Sequence, residues 1–119
     1  MDFEALFNQY KETHLHGRYI ALRQLEPILA RHRNHGELTV IGHSVQNRAI
    51  YSYRIGNGKT RILMWSQMHG NESTTTKALF DFFNFLGGEG KPLLDDFTFL
   101  CLPMLNPDGS EVYTRENAN

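Results

Sequence analysis

Cysteine is almost missing from this chain. Cys101 is the single one in 119 residues, so no internal disulfide framework can form. It stands in the apolar run 99–102, where a thiol reads as a buried, inert side chain. Long apolar runs are missing too: no stretch approaches the length that spans a bilayer. No basic segment followed by an apolar one opens the chain, so no secretory leader is read and a cytoplasmic location is expected. An excess of charge of one sign is also lacking. The formal net charge is −1, which gives no electrostatic case for nucleic acid or an anionic membrane as partner. Internal repeats, low-complexity stretches and linkers do not occur.

What the chain has is enough apolar residue, 40%, to build the core of one domain rather than a disordered segment. Its periodicity changes once. Residues 2–13 carry Phe3, Leu6, Phe7 and Tyr10 at helical spacing. His14-Leu15-His16-Gly17 breaks that pattern; the alternating histidines could share one side of an extended segment, but a polar turn between helices is the preferred reading. A second helical stretch covers 18–32 and holds Pro27, which predicts a kink or a restart near Glu26-Pro27. From residue 37 onward β-branched and aromatic residues take over, with strands expected at 38–42, 49–55, 61–67 and 97–104. Asn47 and Gly56-Asn57-Gly58 supply turn chemistry between the first three. The third run is apolar without alternation, as in a strand covered on both faces. Residues 73–86 show one broad apolar stripe and read as a helix, with Ser73 or Thr74 as its cap and Gly87-Gly88 as its stop.

Strand, strand, strand, helix, strand is the order of an α/β domain with a mixed sheet and flanking helices. The third strand, helix and fourth strand form a parallel crossover, and the first two strands pair antiparallel. The division expected is N-terminal helices over 1–36 and a domain from 37 to 119.

Chemistry is expected at one place. His69 and Glu72 follow the third strand and lie three residues apart, so a tight turn brings them to one side. Imidazole nitrogen and carboxylate oxygen are both zinc donors, and a catalytic zinc takes three protein ligands and an open position. Gly70 lets the backbone turn or approach closely between them, and a helix N-terminus nearby favours ionised Glu72. Asn106-Pro107-Asp108-Gly109, read as a turn, and Arg115 follow the fourth strand. If the two strands are parallel, both loops emerge on the sheet edge where open α/β sheets bind ligands.

Taken together, His69-Gly70-Asn71-Glu72, then a helix and a strand, then Asn106-Pro107-Asp108-Gly109 and the run 114–119 resemble the zinc metallocarboxypeptidases, the carboxypeptidase A-like peptidases. Gly42-His43-Ser44-Val45-Gln46-Asn47-Arg48-Ala49-Ile50 is similar to that family's hairpin motif, with Asn47 at the glycine place. The resemblance covers about 37–119. It implies the α/β/α phosphorylase/hydrolase-like carboxypeptidase fold, of which this chain carries an incomplete part, zinc as cofactor, and a peptide or amide as substrate. It implies that His69 and Glu72 are the first two zinc ligands and that Arg115 is the catalytic, substrate-binding arginine that stabilises the oxyanion, a role suited to a permanently charged fork of donors. Asn71 stands where the carboxypeptidase A branch has arginine, and Asn106 to Gly109 shape the loop rather than act.

The family's carboxylate clamp, third zinc ligand and glutamate general base do not occur within these residues. The expectation is therefore the N-terminal part of a hydrolase, inactive by itself, with an exposed sheet edge through which it self-associates. Two other readings stand beside it: a zinc deacylase of acylated amino acids, similar to aspartoacylase and succinylglutamate desuccinylase, and a non-catalytic α/β module.

Overall fold

The computed structural model describes residues 1–119. Its elements in order are α1 (Phe3–Tyr10), α2 (Leu22–His32), β1 (Glu37–His43), β2 (Ala49–Ile55), β3 (Thr60–Trp65), α3 (Thr74–Gly87), α4 (Leu93–Asp96), β4 (Phe97–Leu102) and α5 (Pro107–Glu111). The four strands make one mixed sheet in the order β1-β2-β4-β3. β1 and β2 form an antiparallel hairpin, β2 pairs antiparallel with β4, and β3 pairs parallel with β4. Asn47 closes the hairpin at φ 61, in the left-handed region that asparagine tolerates. No helix is long and apolar enough to cross a membrane.

The core lies between one face of the sheet and the helices α2 and α3. Leu25, Ile28 and Leu29 of α2 meet Leu79, Phe80, Phe83 and Leu86 of α3 and Tyr53, Ile55, Phe99 and Cys101 of the strands in one buried cluster. Tyr53 and Phe83 sit at its centre, ring centroids 4.8 Å apart in an edge-on arrangement. The Tyr53 hydroxyl donates to the His32 carbonyl at 3.1 Å, so its polar tip is satisfied in the interior. Burial pushes the Cys101 thiol up to about 12, which fits the inert role expected for it.

Several local expectations change. α2 begins at Leu22, not near Arg18, and runs as one helix through Pro27 without a restart. Leu22, Leu25, Ile28 and Leu29 are buried on one face, and that burial offsets the hydrogen bond that proline removes. Residues 13–16 form the polar turn: Leu15 is buried, and His14 Nδ1 lies 2.8 Å from Glu12 Oε1. Glu12 also accepts from Arg31 and Asn84, so the turn fastens α1 to α2 and α3. Asn106-Pro107-Asp108-Gly109 opens a helix rather than a β-turn. Asn106 caps it, its Oδ1 accepting the Gly109 amide at 2.9 Å, and Pro107 takes the first helical position, where a missing N–H costs nothing.

The largest correction concerns β3. It is an edge strand, paired with β4 alone, and not covered on both faces. Ile62 and Met64 pack on the core, whereas Leu63 and Trp65 are 56% and 51% exposed. Leu100, the β4 partner of Leu63, is exposed on the same open side. An apolar run without alternation signals that both faces suit burial; it does not supply the second cover.

Phe83 touches Tyr53, His32 and Phe80 through edge-on or tilted rings. Phe83→Ala leaves a cavity among them and is expected to lower unfolding stability by about 3–5 kcal/mol. Urea unfolding followed by circular dichroism checks this; a loss under about 1 kcal/mol would place the core elsewhere.

Candidate metal and oxyanion site

Parallel pairing of β3 with β4, in register from Thr60↔Phe97 to Trp65↔Leu102, sends the segments after both strands off the same sheet edge. Those segments carry the expected site residues. After Trp65 the chain enters a polar, buried knot before it reaches the surface. Gln67, 3% exposed and held at φ 51, donates from Nε2 to the Gly70 carbonyl at 2.9 Å and to the Ile20 carbonyl at 2.6 Å. Thr76 on the first turn of α3 donates to Gln67 Oε1 at 2.7 Å, and the Ser66 hydroxyl reaches the Pro103 carbonyl. Each of these groups is buried and partnered, so the turn 66–73 is stiff where it leaves the sheet. Gly70 is required by close approach: a Cβ there would overlap the backbone of Gly109 and Ser110. The two loops therefore touch backbone to backbone at the site. Ser73 occupies the cap position of α3, but its hydroxyl donates to the Arg18 carbonyl at 2.6 Å instead of capping.

The structure brings His69, Glu72 and Arg115 together. His69 Nδ1 lies 2.9 Å from Glu72 Oε2, and Arg115 Nη1 donates to Glu72 Oε1 at 2.8 Å, across 43 residues of sequence. An ionised carboxylate only accepts, so Nδ1 carries the proton in this arrangement. The hydrogen bond from His69, and after it the Arg115 guanidinium, hold the Glu72 carboxyl below the usual carboxylate range. Side chains of all three reach solvent, with His69 the most covered at 28% exposed. His69 and Arg115 line an open cleft of about 700 Å³ together with His43, Ser44, Asn106 and Asp108; Glu72 is not in that lining and joins the group through its bonds to His69 and Arg115. Asn71 does not line it; its Oδ1 is buried and has no hydrogen-bond partner.

As donors, His69 and Glu72 fit part of a zinc site: one imidazole nitrogen and one carboxylate, side by side and facing solvent. No group of three or more histidine, cysteine, aspartate or glutamate side chains is gathered anywhere in the chain. The two are thus short of the three protein donors that a catalytic zinc takes.

Asn106 to Gly109 were expected to shape their own loop, and one of them also fixes the hairpin opposite, which the sequence reading missed. Asp108, 3% exposed, accepts from the Ser44 hydroxyl at 2.6 Å, the Gln46 amide at 3.1 Å and Arg48 Nη1 at 2.8 Å. It ties the β1–β2 hairpin to the start of α5 and so closes the cleft's far wall. The signal was present as two separate motifs, Ser44…Arg48 in the hairpin and Asp108 after Pro107. Nothing in the linear order pairs them. Burial alone would raise the Asp108 carboxyl, but hydrogen bonds from Ser44, Arg48 and the Gln46 amide outweigh it and hold it below its ordinary value of 3.8.

Comparison with known proteins adds family and fold. A family model described as zinc carboxypeptidase matches residues 22–119. A curated relative, gamma-D-glutamyl-L-diamino acid endopeptidase 1 of Lysinibacillus sphaericus, is 35% identical over 82 residues, which are 60% of this chain and 21% of that protein. A metallo-carboxypeptidase from Burkholderia cenocepacia shares the fold with TM-score 0.78 at 20% identity, over 84% of this chain and 31% of that one. A metallo-carboxypeptidase from Pseudomonas aeruginosa, solved in complex with (2-guanidinoethylmercapto)succinic acid, does so with TM-score 0.69 at 19% identity, over 84% and 29%. The chain thus spans about a fifth of the curated relative and under a third of these solved structures.

Because its folded-state value is depressed, Asp108 contributes stability above its unfolded value of 3.8 and loses it as pH falls through the folded one. Asp108→Asn leaves Arg48 without its buried partner and is expected to cost about 3 kcal/mol at pH 7. The gap between variant and parent should close as pH drops below 3.8. Denaturant unfolding of both proteins across pH 2–7 tests this, and a pH-independent gap would refute the linkage.

Proposed function

The chain belongs to the zinc carboxypeptidase family, and we propose that it contributes the first two zinc ligands and the oxyanion arginine to a peptide-hydrolysing site that residues beyond these 119 complete. The observation that carries the proposal is the meeting of His69, Glu72 and Arg115 on one carboxylate, from two loops that leave parallel strands at the same edge. The family description and the named relatives are peptidases, which favours peptide hydrolysis over deacylation of acylated amino acids and over a non-catalytic role.

In this reading His69 and Glu72 would hold zinc, His69 through a ring nitrogen that carries no proton and Glu72 as the ionised carboxylate. The chemistry that zinc supplies there is Lewis-acid polarisation of the scissile carbonyl and a water whose pKa falls to about 7. Arg115 keeps N–H donors beyond the Nη1 that it gives to Glu72, set in the planar fork of a guanidinium. Its guanidinium is placed beside the carboxylate of the metal site, where a developing oxyanion needs fixed donors. Glu72 serves as a donor and not also as the base. No other carboxylate in the chain is gathered with these groups.

Two donors bind zinc weakly, so calorimetric titration of the 119-residue chain should show no tight stoichiometric uptake and no peptide hydrolysis. In a longer protein that carries these residues and is active, Arg115→Ala should lower kcat on a peptide substrate about 10²–10³-fold with little change in KM. Unchanged kcat would remove Arg115 from the chemistry, and a full-length protein that holds no zinc would end the metallopeptidase reading.

We also propose that β3 pairs with β3 of a second copy when nothing else covers it. Its outer backbone groups have no strand partner, and Leu63 and Trp65 are exposed beside them. Sedimentation velocity of this chain should show concentration-dependent dimer, and Leu63→Lys should reduce it. A clean monomer at high concentration would count against edge pairing.

A further inference from the structure

Just ahead of Arg115 the backbone takes an unusual shape. Tyr113 sits at φ 61, in the left-handed region that bulky side chains rarely adopt. Such a residue persists only where its surroundings hold it, and such residues gather at functional sites. Here the surroundings are identifiable. The Tyr113 ring stacks on Tyr19, centroids 4.6 Å apart and planes 20° apart. The Arg18 guanidinium lies over the Tyr19 ring at 5.3 Å. Arg23 Nη1 donates to Glu111 Oε1 at 2.7 Å. Residues 18–23 therefore grip the segment 111–113 at both ends.

The same residues are held from the other side by the turn that carries His69 and Glu72. Gln67 Nε2 donates to the Ile20 carbonyl, Ser73 Oγ to the Arg18 carbonyl, and Lys77 Nζ to the Gly17 carbonyl, at 2.6, 2.6 and 2.7 Å. Gln67 and Ser73 bracket the His69–Glu72 stretch in sequence. A single short segment thus binds both loops of the site, through its backbone to one and through its side chains to the other. The family model's match starts at residue 22, so Arg18 and Tyr19 lie outside it.

We propose that residues 17–23 act as a strap that sets the spacing of the two loops, with Tyr19 as the positioning residue for Arg115. Stacking of Tyr19 on Tyr113 holds the left-handed turn, and that turn delivers Arg115 to Glu72. The other hydrogen bonds on this stretch of backbone run within 106–116: Tyr113 N donates to the Ser110 carbonyl at 3.4 Å, Thr114 N to the Gly109 carbonyl at 2.9 Å and Thr114 Oγ1 to the Glu116 carbonyl at 3.2 Å, and Asn106 Nδ2 reaches the Arg115 carbonyl at 3.4 Å; none of them ties it to the loop that carries Glu72. The strap's catalytic meaning rests on the oxyanion role proposed for Arg115; its geometric claim does not.

The test uses the 119-residue chain and reads the order of Arg115 directly. In ¹⁵N-labelled protein, Tyr19→Ala should lower the heteronuclear NOE of the Arg115 Nε–Hε group. Tryptic cleavage after Arg115 should rise about tenfold against cleavage at the other basic sites, as for a segment whose local opening becomes easier. Tyr19→Phe, which keeps the stacking ring, should restore both values. Tyr113→Gly accepts φ 61 without a ring and should disorder the Arg115 side chain as Tyr19→Ala does, so the question is settled even if one variant folds poorly. Arg115 equally ordered in folded Tyr19→Ala or Tyr113→Gly would overturn the strap. Failure of the oxyanion role would show separately, as unchanged kcat in the full-length Arg115→Ala protein.

Discussion

Everything at the site depends on the parallel pairing of β3 with β4. Six residues in register make both strands end at one edge, and without this no local contact could bring position 72 within reach of position 115. An antiparallel pairing of the same strands would send the two loops to opposite ends of the sheet. α3 makes the parallel arrangement possible by crossing over the face that carries the core, and its buried stripe of Leu79, Phe80, Phe83 and Leu86 fastens it there. The hydrophobic contacts of α3 are thus the indirect cause of the His69–Glu72–Arg115 geometry.

The charged contacts at the site do not hold it together. Arg115 and Glu72 are each more than half exposed, and exposed ion pairs contribute little to stability. The rigidity comes from beneath and beside them. Gln67, Ser66 and Thr76 form a satisfied buried network under one loop. Gly70 packs against the backbone at Gly109. Asp108 draws the β1–β2 hairpin onto α5. A surface triad on such a base keeps its side chains free to exchange partners, as the metal role proposed for His69 and Glu72 would require.

Much of this was legible in the residue order. The α/β class, the antiparallel first hairpin with Asn47 at its turn, the buried thiol and the crossover helix all carry strong local signals, because each depends on periodicity or on one residue's conformational range. The boundaries of α2, the helical start at Asn106 and the missing cap at Ser73 were not legible. For α2 and Ser73 a residue with two compatible local uses was assigned by a distant partner, the core and the Arg18 carbonyl; at Asn106 the choice between β-turn and helix start was local, its Oδ1 taking the Gly109 amide three residues on. Covering of β3 failed for a different reason, since composition reports what a strand tolerates and not what lies against it.

By itself the sequence determined the types of donor available, the turn chemistry that places His69 and Glu72 on one side, and the family to which 22–119 belong. Those follow from short-range spacing, which survives in a linear reading. Only the tertiary structure decided that Arg115 lies on Glu72, that Asp108 joins two motifs about sixty residues apart, and that Tyr19 stacks on Tyr113. Contacts of that separation are set by strand order and helix docking. The energy that fixes those belongs to the core, so no pattern at the site itself records them.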